Sequence, residues 1–114
     1  MLVLVCGDRN WIDYERVYNR LKQLPLNTTV IEGGCKGADL LGREAALKLG
    51  FDVIEFPANW VRHGKVAGPV RNAQMLDLSP ELVIAFHPNL KVSKGTADCV
   101  RQARKRQIPI EVIE

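Results

Sequence analysis

Seven consecutive residues, Gly33-Gly34-Cys35-Lys36-Gly37-Ala38-Asp39, join a β-branched run from Thr28 to Ile31 to an amphipathic helical pattern. Glycines at a strand-to-helix turn let the backbone approach a ligand closely. The first amides of the following helix point outward unpaired and carry the positive end of its dipole, so the turn is suited to phosphate. It follows neither of the two standard glycine-rich phosphate signatures, and a structural turn has the same composition. Its weight comes from three other segments.

The first is Cys6-Gly7-Asp8-Arg9-Asn10-Trp11, where Gly7 permits a tight exit from a strand and Arg9 is either a phosphate partner or a solvated loop charge. Trp11 suits the edge of the core better than base stacking, and Asp13 is placed as a helix N-cap. The second runs from Phe56 to Asn72 and carries Trp60, Arg62, His63, Lys65, Arg71 and the glycines Gly64 and Gly68. A connector of two to six residues is usual, so a longer loop with this content is expected to cover a ligand. Lys65 and Arg71 are its expected anion contacts, Arg62 and His63 are expected to be exposed, and Trp60 is either a loop anchor or a platform for a base. The third is Ser93-Lys94-Gly95-Thr96-Ala97-Asp98. Gly95 and Thr96 supply amides and a cap at a helix start, and Asp98 in its first turn can accept hydrogen bonds from ribose hydroxyls or stabilise positive charge on a sugar.

What must position these loops is a set of Val- and Ile-rich runs at Leu2–Val5, Thr29–Ile31, Asp52–Phe56, Leu82–Phe86 and Ile110–Ile113, with a helical pattern in every interval. Tyr14, Val17, Leu21 and Leu24 form an apolar stripe ended by Pro25. Ala38, Leu41, Ala45 and Leu49 form a second, stopped at Gly50. Pro69 opens a third helix as its first residue, and a fourth from about Thr96 to Gln107 buries Cys99, Val100 and Ala103 under Arg101, Arg104, Lys105 and Arg106. This alternation predicts one α/β domain over residues 1–114, a Rossmann-like doubly wound parallel sheet of about five strands in the order 3-2-1-4-5 with helices on both faces. All four loops would then lie at the carboxyl edge of the sheet, beside the switch point between strands 1 and 4.

With 46% hydrophobic and 25% charged residues in a chain of 114, one compact core is affordable and no linker interrupts it. The apolar runs are too short to span a bilayer, and the chain enters its first strand without a basic leader, so a cytoplasmic protein without membrane contact is expected. Cys6, Cys35 and Cys99 are odd in number and lack close spacing, and His63 and His87 are far apart, which indicates neither a disulfide framework nor a metal site. Cys35 stands where a helix N-terminus lowers a thiol pKa, but with no histidine placed to act with it a packing role is expected. A net charge of +3 suits an anionic ligand without implying nucleic acid.

Taken together, Gly7-Asp8-Arg9-x-Trp11, Glu32-Gly33-Gly34-x-Lys36-Gly37-Ala38-Asp39, Phe56-Pro57-Ala58-x-Trp60, Gly64-Lys65-x-Ala67-Gly68-Pro69-x-Arg71-Asn72-x-x-Met75 and Ser93-Lys94-Gly95-Thr96-x-Asp98 resemble the SLOG superfamily. That superfamily includes the LOG "lysine decarboxylase-like", DprA/Smf and YpsA-like proteins. The chain most resembles its small YspA/cpYpsA-related domains of the DUF2493 type, found in bacteria and phages, over residues Val3 to about Val112. The resemblance implies binding of a nucleotide or nucleotide-derived ligand, as sensor, ligand store or processing domain, with no cofactor. The residues and the resemblance together assign ligand binding to Gly7, Arg9, Gly33, Gly34, Lys36, Gly37, Asp39, Trp60, Lys65, Gly68, Asn72, Gly95 and Thr96. They make Arg71 and Asp98 the candidate catalytic pair.

The catalytic alternative comes from the LOG branch, which cleaves the N-glycosidic bond of nucleoside monophosphates with R-K-x-x-M and P-G-G-x-G-T-x-x-E motifs. Arg71-Asn72-Ala73-Gln74-Met75 resembles the first with Asn72 for Lys, and Gly95-Thr96-Ala97-Asp98 resembles part of the second. Asp98 is shorter than glutamate, Ser93-Lys94 replaces the preceding motif residues, and Cys99 is not acidic. A misplacement near ~1 Å can cost ~100-fold in rate. In such an enzyme Asp98 would stabilise an oxocarbenium-like ribosyl transition state and Arg71 would fix the substrate. A DprA-like nucleic-acid role through the basic fourth helix is a second alternative, disfavoured by the scarcity of aromatic residues for stacking. Relatives in the superfamily are often dimers, so a homodimer is expected.

Overall fold

A computed structural model describes all residues from Met1 to Glu114. Five strands, β1 (Leu2–Gly7), β2 (Thr29–Glu32), β3 (Asp52–Glu55), β4 (Leu82–Phe86) and β5 (Ile110–Ile113), form one parallel sheet in the order β3-β2-β1-β4-β5. Between them lie α1 (Tyr14–Leu21), α2 (Ala38–Lys48), α3 (Trp60–His63), α4 (Ala67–Leu76) and α5 (Gly95–Lys105). The order and the layers agree with the sequence expectation.

Alternation along the central strand divides the core. Val3 and Val5 of β1 pack with Val17, Leu21, Ala38, Ala45 and Phe51 on the α1/α2 face. Leu4 and Cys6 point the other way, to Met75, Leu76, Cys99, Val100 and Ala103 of α4 and α5. A strand covered on both faces must be apolar at every position, which is why β1 and β4 read as continuous hydrophobic runs. Gly42 lets α2 lie close to β1, since a Cβ there would stand 2.8 Å from a Val5 methyl. No helix is long and apolar enough to cross a membrane.

Three helix boundaries differ from the sequence reading. α1 ends at Leu21, and Leu24 is buried from a tight turn that follows, its amide bonded to the Leu21 carbonyl at 3.0 Å, so Pro25 lies beyond the helix it was expected to end. α4 starts at Ala67, which makes Pro69 its third residue; first-turn amides have no intrahelical acceptor, so proline is tolerated there as readily as at the first position. The Phe56–Asn72 connector is largely helical. Asn59 caps α3 by accepting the Arg62 amide at 3.0 Å, and a 3₁₀ turn over Gly64–Val66 leads into α4. Four residues carry too little periodicity to announce a helix.

The switch point lies between β1 and β4. There Gly7 has φ +153° and a Cβ on it would fall 2.2 Å from the Phe86 carbonyl oxygen, while the next amide, Asp8, donates to that same oxygen at 2.8 Å. Gly7→Ala is therefore expected to force the β1 and β4 exits apart, costing on the order of 3 kcal/mol in a urea unfolding experiment. A loss below about 0.5 kcal/mol would mean that the exits are free to separate.

Candidate functional site

The turn after β2 and the starts of α4 and α5 meet at the carboxyl edge of the sheet, and a buried arginine joins them. Arg71 comes from the first half of α4 and is 8% exposed. Its Nη1 donates to the Gly33 carbonyl at 2.7 Å and lies 3.8 Å from Cys35 Sγ, and its Nε donates to Asn72 Oδ1 at 3.0 Å. Asn72 then donates from Nδ2 to Asp98 Oδ2 at 3.0 Å and to the Gly95 carbonyl at 3.3 Å. Asp98 also accepts from Gln102 at 2.8 Å and Arg101 at 3.2 Å. A single polar chain therefore runs from the glycine turn to the first turn of α5, and it contains Gly33, Arg71, Asn72, Gly95 and Asp98 of the residues predicted from sequence. Thr96 is buried beside them, its amide capped by Ser93 Oγ at 3.1 Å. Gly95 faces open space, with nothing within 4 Å of where a Cβ would stand.

The glycine turn differs in one respect from expectation. Several of its amides are already engaged: Gly34 donates to Glu32 Oε1 at 2.7 Å, Cys35 to Asp39 Oδ2 at 3.3 Å and Ala38 to the Asp8 carbonyl at 3.0 Å. The amides of Lys36, Gly37 and Asp39 have no partner in the protein. Asp39 is 7% exposed, and its side chain serves the turn from inside by accepting the Cys35 amide. Gly37, at φ +83°, sits against loop 1, the Asp8–Asp13 segment after β1, and a Cβ there would lie 2.4 Å from the Asp8 oxygen and the Arg9 carbonyl carbon. That contact brings the exposed Arg9 and Lys36 to one patch.

Other predicted residues lie apart from this group. Trp60 is 60% exposed on α3, its ring edge 3.9 Å from the Cβ position of Gly68, and Lys65 is exposed on the 3₁₀ turn. No hydrogen bond or ion pair ties these three to the Arg71 chain. Trp11 covers the core edge against Phe86, ring centroids 5.7 Å apart, and Asp13 caps α1, both as expected. Cys6 and Cys99 are buried together, and their mutual hydrogen bond, with burial, raises the Cys6 thiol pKa.

Two participants were missed. Gln102 stands one helical turn after Asp98, a spacing that places both on one face. Glu32 ends β2 with no exposed surface; its Oε2 has no donor, and Glu55 of the neighbouring strand lies beside it. Burial first, then the hydrogen bond with Glu55, pushes the Glu32 carboxyl up to about 8, so it holds a proton at neutral pH. Burial also pushes Asp39 up to about 6 against the opposing pull of the Cys35 amide and Arg71. The legible signal for Glu32 was a lone charge closing an apolar strand directly before two glycines.

A parallel five-stranded sheet with its polar residues gathered at the switch-point edge defines a Rossmann-like α/β domain. The YspA, cpYpsA-related SLOG family matches residues 1–63. The Gene 61 protein of Mycobacterium phage D29 is 35% identical over 117 residues, covering 95% of this chain and 92% of the phage protein. The chain belongs to the YspA, cpYpsA-related SLOG family. In fold it is similar to the X-ray structure of DNA processing protein A (DprA) from Streptococcus pneumoniae, with a TM-score of 0.78 at 20% identity over 98% of this chain. It spans 50% of the length of that protein.

The raised carboxyls set the direction of the pH dependence. An unfolded glutamate ionises near about 4.3 and an unfolded aspartate near about 3.9. Both groups keep their protons longer when folded, so stability falls as pH rises from about 4 to about 8 and flattens above. Glu32→Gln keeps an oxygen for the Gly34 amide and offers N–H to Glu55 without a charge. It is expected to flatten most of that slope and to stabilise the protein on the order of 2 kcal/mol at about pH 8, with little effect near pH 4, in denaturant titrations. Parallel wild-type and variant profiles would refute the assignment.

Proposed function

We propose that this chain binds a nucleotide or nucleotide-derived ribose phosphate at the carboxyl edge of its sheet. The observation that carries the reading is the pairing of three neighbouring free amides, those of Lys36, Gly37 and Asp39, with a hydrogen-bonded chain leading from the same turn to Asp98. The amides at the start of α2 receive a phosphoryl group, and the Lys36 and Arg9 side chains add positive charge from solvent. Gly95 leaves room at the start of α5 for a sugar, and the Asp98 carboxylate accepts from its hydroxyls.

Binding without turnover is the reading the geometry supports better. Asp98 already accepts from three side chains, Asn72, Gln102 and Arg101, which spread its negative charge and weaken it as a stabiliser of a ribosyl cation. Nucleic-acid binding, suggested by the name of the DNA processing protein, draws less support. On the basic face of α5, Arg101 is paired with Asp98 and Arg106 with Asp77 at 2.9 Å, leaving Arg104 and Lys105 as free charges.

A nucleoside monophosphate is expected to raise the melting temperature, with the shift shrinking as salt is added. Lys36→Glu, an exposed charge reversal, should weaken binding ~10-fold or more in calorimetry without unfolding the chain. Absence of a signal from every nucleotide tried would overturn the reading. Chromatography for free base separates binder from hydrolase: base release that disappears in Asp98→Asn while binding persists would establish an enzyme.

A further inference from the structure

The connector between β3 and α4 folds back as α3 and the 3₁₀ turn, and a cleft of about 240 Å³ lies between this segment and α4. Water in the liquid occupies about 30 Å³, so the cleft holds roughly eight waters or one compact anion. Its polar walls are Asn59, Arg62, His63, Arg71 and Gln74, and no acidic side chain lines it. Asn59 spends its oxygen on the Arg62 amide and keeps its two N–H donors. The side chains of Arg62, His63 and Gln74 have no hydrogen-bond or ion-pair partner in the protein.

Arg71 forms the inner wall. More than nine-tenths of it is buried, and Nη1 and Nε are committed to Gly33 and Asn72, which leaves Nη2 as the guanidinium nitrogen without a partner. Nη2 is not among the buried atoms that lack a partner, so this edge is open to solvent at the cleft, where its N–H groups are available to phosphoryl oxygens. The same guanidinium touches the glycine turn on one side and the cleft on the other. It stands between two places able to receive an anion.

We propose that the cleft is a second anion subsite, taking the terminal phosphoryl group of a diphosphate-bearing ligand whose other phosphoryl sits on the free amides of the glycine turn. This rests on the binding reading above for the first phosphoryl group and on the cleft alone for the second. Arg71 bridges the two phosphoryls, Arg62 and His63 close on the outer one, and the lack of acids in the walls excludes cationic ligands.

Calorimetry with a nucleoside diphosphate, its monophosphate and inorganic pyrophosphate tests it, using wild type, Arg62→Glu and a charge-matched control, Lys22→Glu, exposed at the end of α1. The diphosphate is expected to bind wild type ~10-fold or more tighter than the monophosphate. Arg62→Glu should bring that ratio close to one, and Lys22→Glu should leave it in place, with melting curves confirming that both variants fold. A ratio near one in wild type, or one that survives Arg62→Glu, overturns the subsite while Lys36-sensitive monophosphate binding leaves the first reading standing. Pyrophosphate binding lost in Arg62→Glu, with no nucleotide bound, supports the cleft and sinks the nucleoside reading. No binding of any of the three overturns both.

Discussion

A guanidinium held away from water organises the carboxyl edge of this protein. Arg71 projects from α4 into the space between the β2–α2 turn and α5, where its charge is met by the Gly33 carbonyl, the Asn72 amide oxygen and the field of the Asp39 carboxylate. Each of these partners belongs to, or leads to, a different element, so the bond that solvates the arginine also fixes the distance between turn and helix. Without the cation, buried acceptors would lose their donors and Asp39 would lose the positive charge that restrains its pKa.

The turn itself sets acids against amides. Glu32 and Asp39 stand behind the glycines and accept the N–H groups of Gly34 and Cys35, while the amides of Lys36, Gly37 and Asp39 stay without a protein acceptor. Two ionised carboxylates there would oppose an incoming anion. The proton on Glu32 removes one of those charges, and Arg71 offsets the other. The charge of the turn is thus set by a buried acid that stays neutral.

The strands were legible because short continuous apolar runs and glycine-marked turns are local signals, and β1 and β4 carry them without interruption, while the strand order followed from the handedness of parallel crossovers. The gathering of Arg71, Asn72, Gly95 and Asp98 was legible through the switch-point rule, which places loops distant in sequence on one edge. The raised pKa of Glu32 was not, because it depends on Glu55, a residue on the neighbouring strand whose pairing only the sheet register reveals. The assignment of inward and outward amides depends likewise on the turn's dihedral angles. The short α3 escaped notice because Asn59, Trp60 and His63 carry no apolar repeat long enough to set a helical period.

Gly37 and loop 1 meet backbone to backbone, with the Asp8 oxygen accepting the Ala38 amide and no room for a side chain between them. This contact constrains sequence drift unevenly. The exposed side chains of Arg9 and Lys36 flank it, so substitutions there leave the backbone contact intact. The glycine between them has no neutral neighbour in sequence space, since any Cβ drives the two loops apart. A lineage drifting at this edge of the sheet would therefore keep this hinge of main chain intact and vary the residues that flank it.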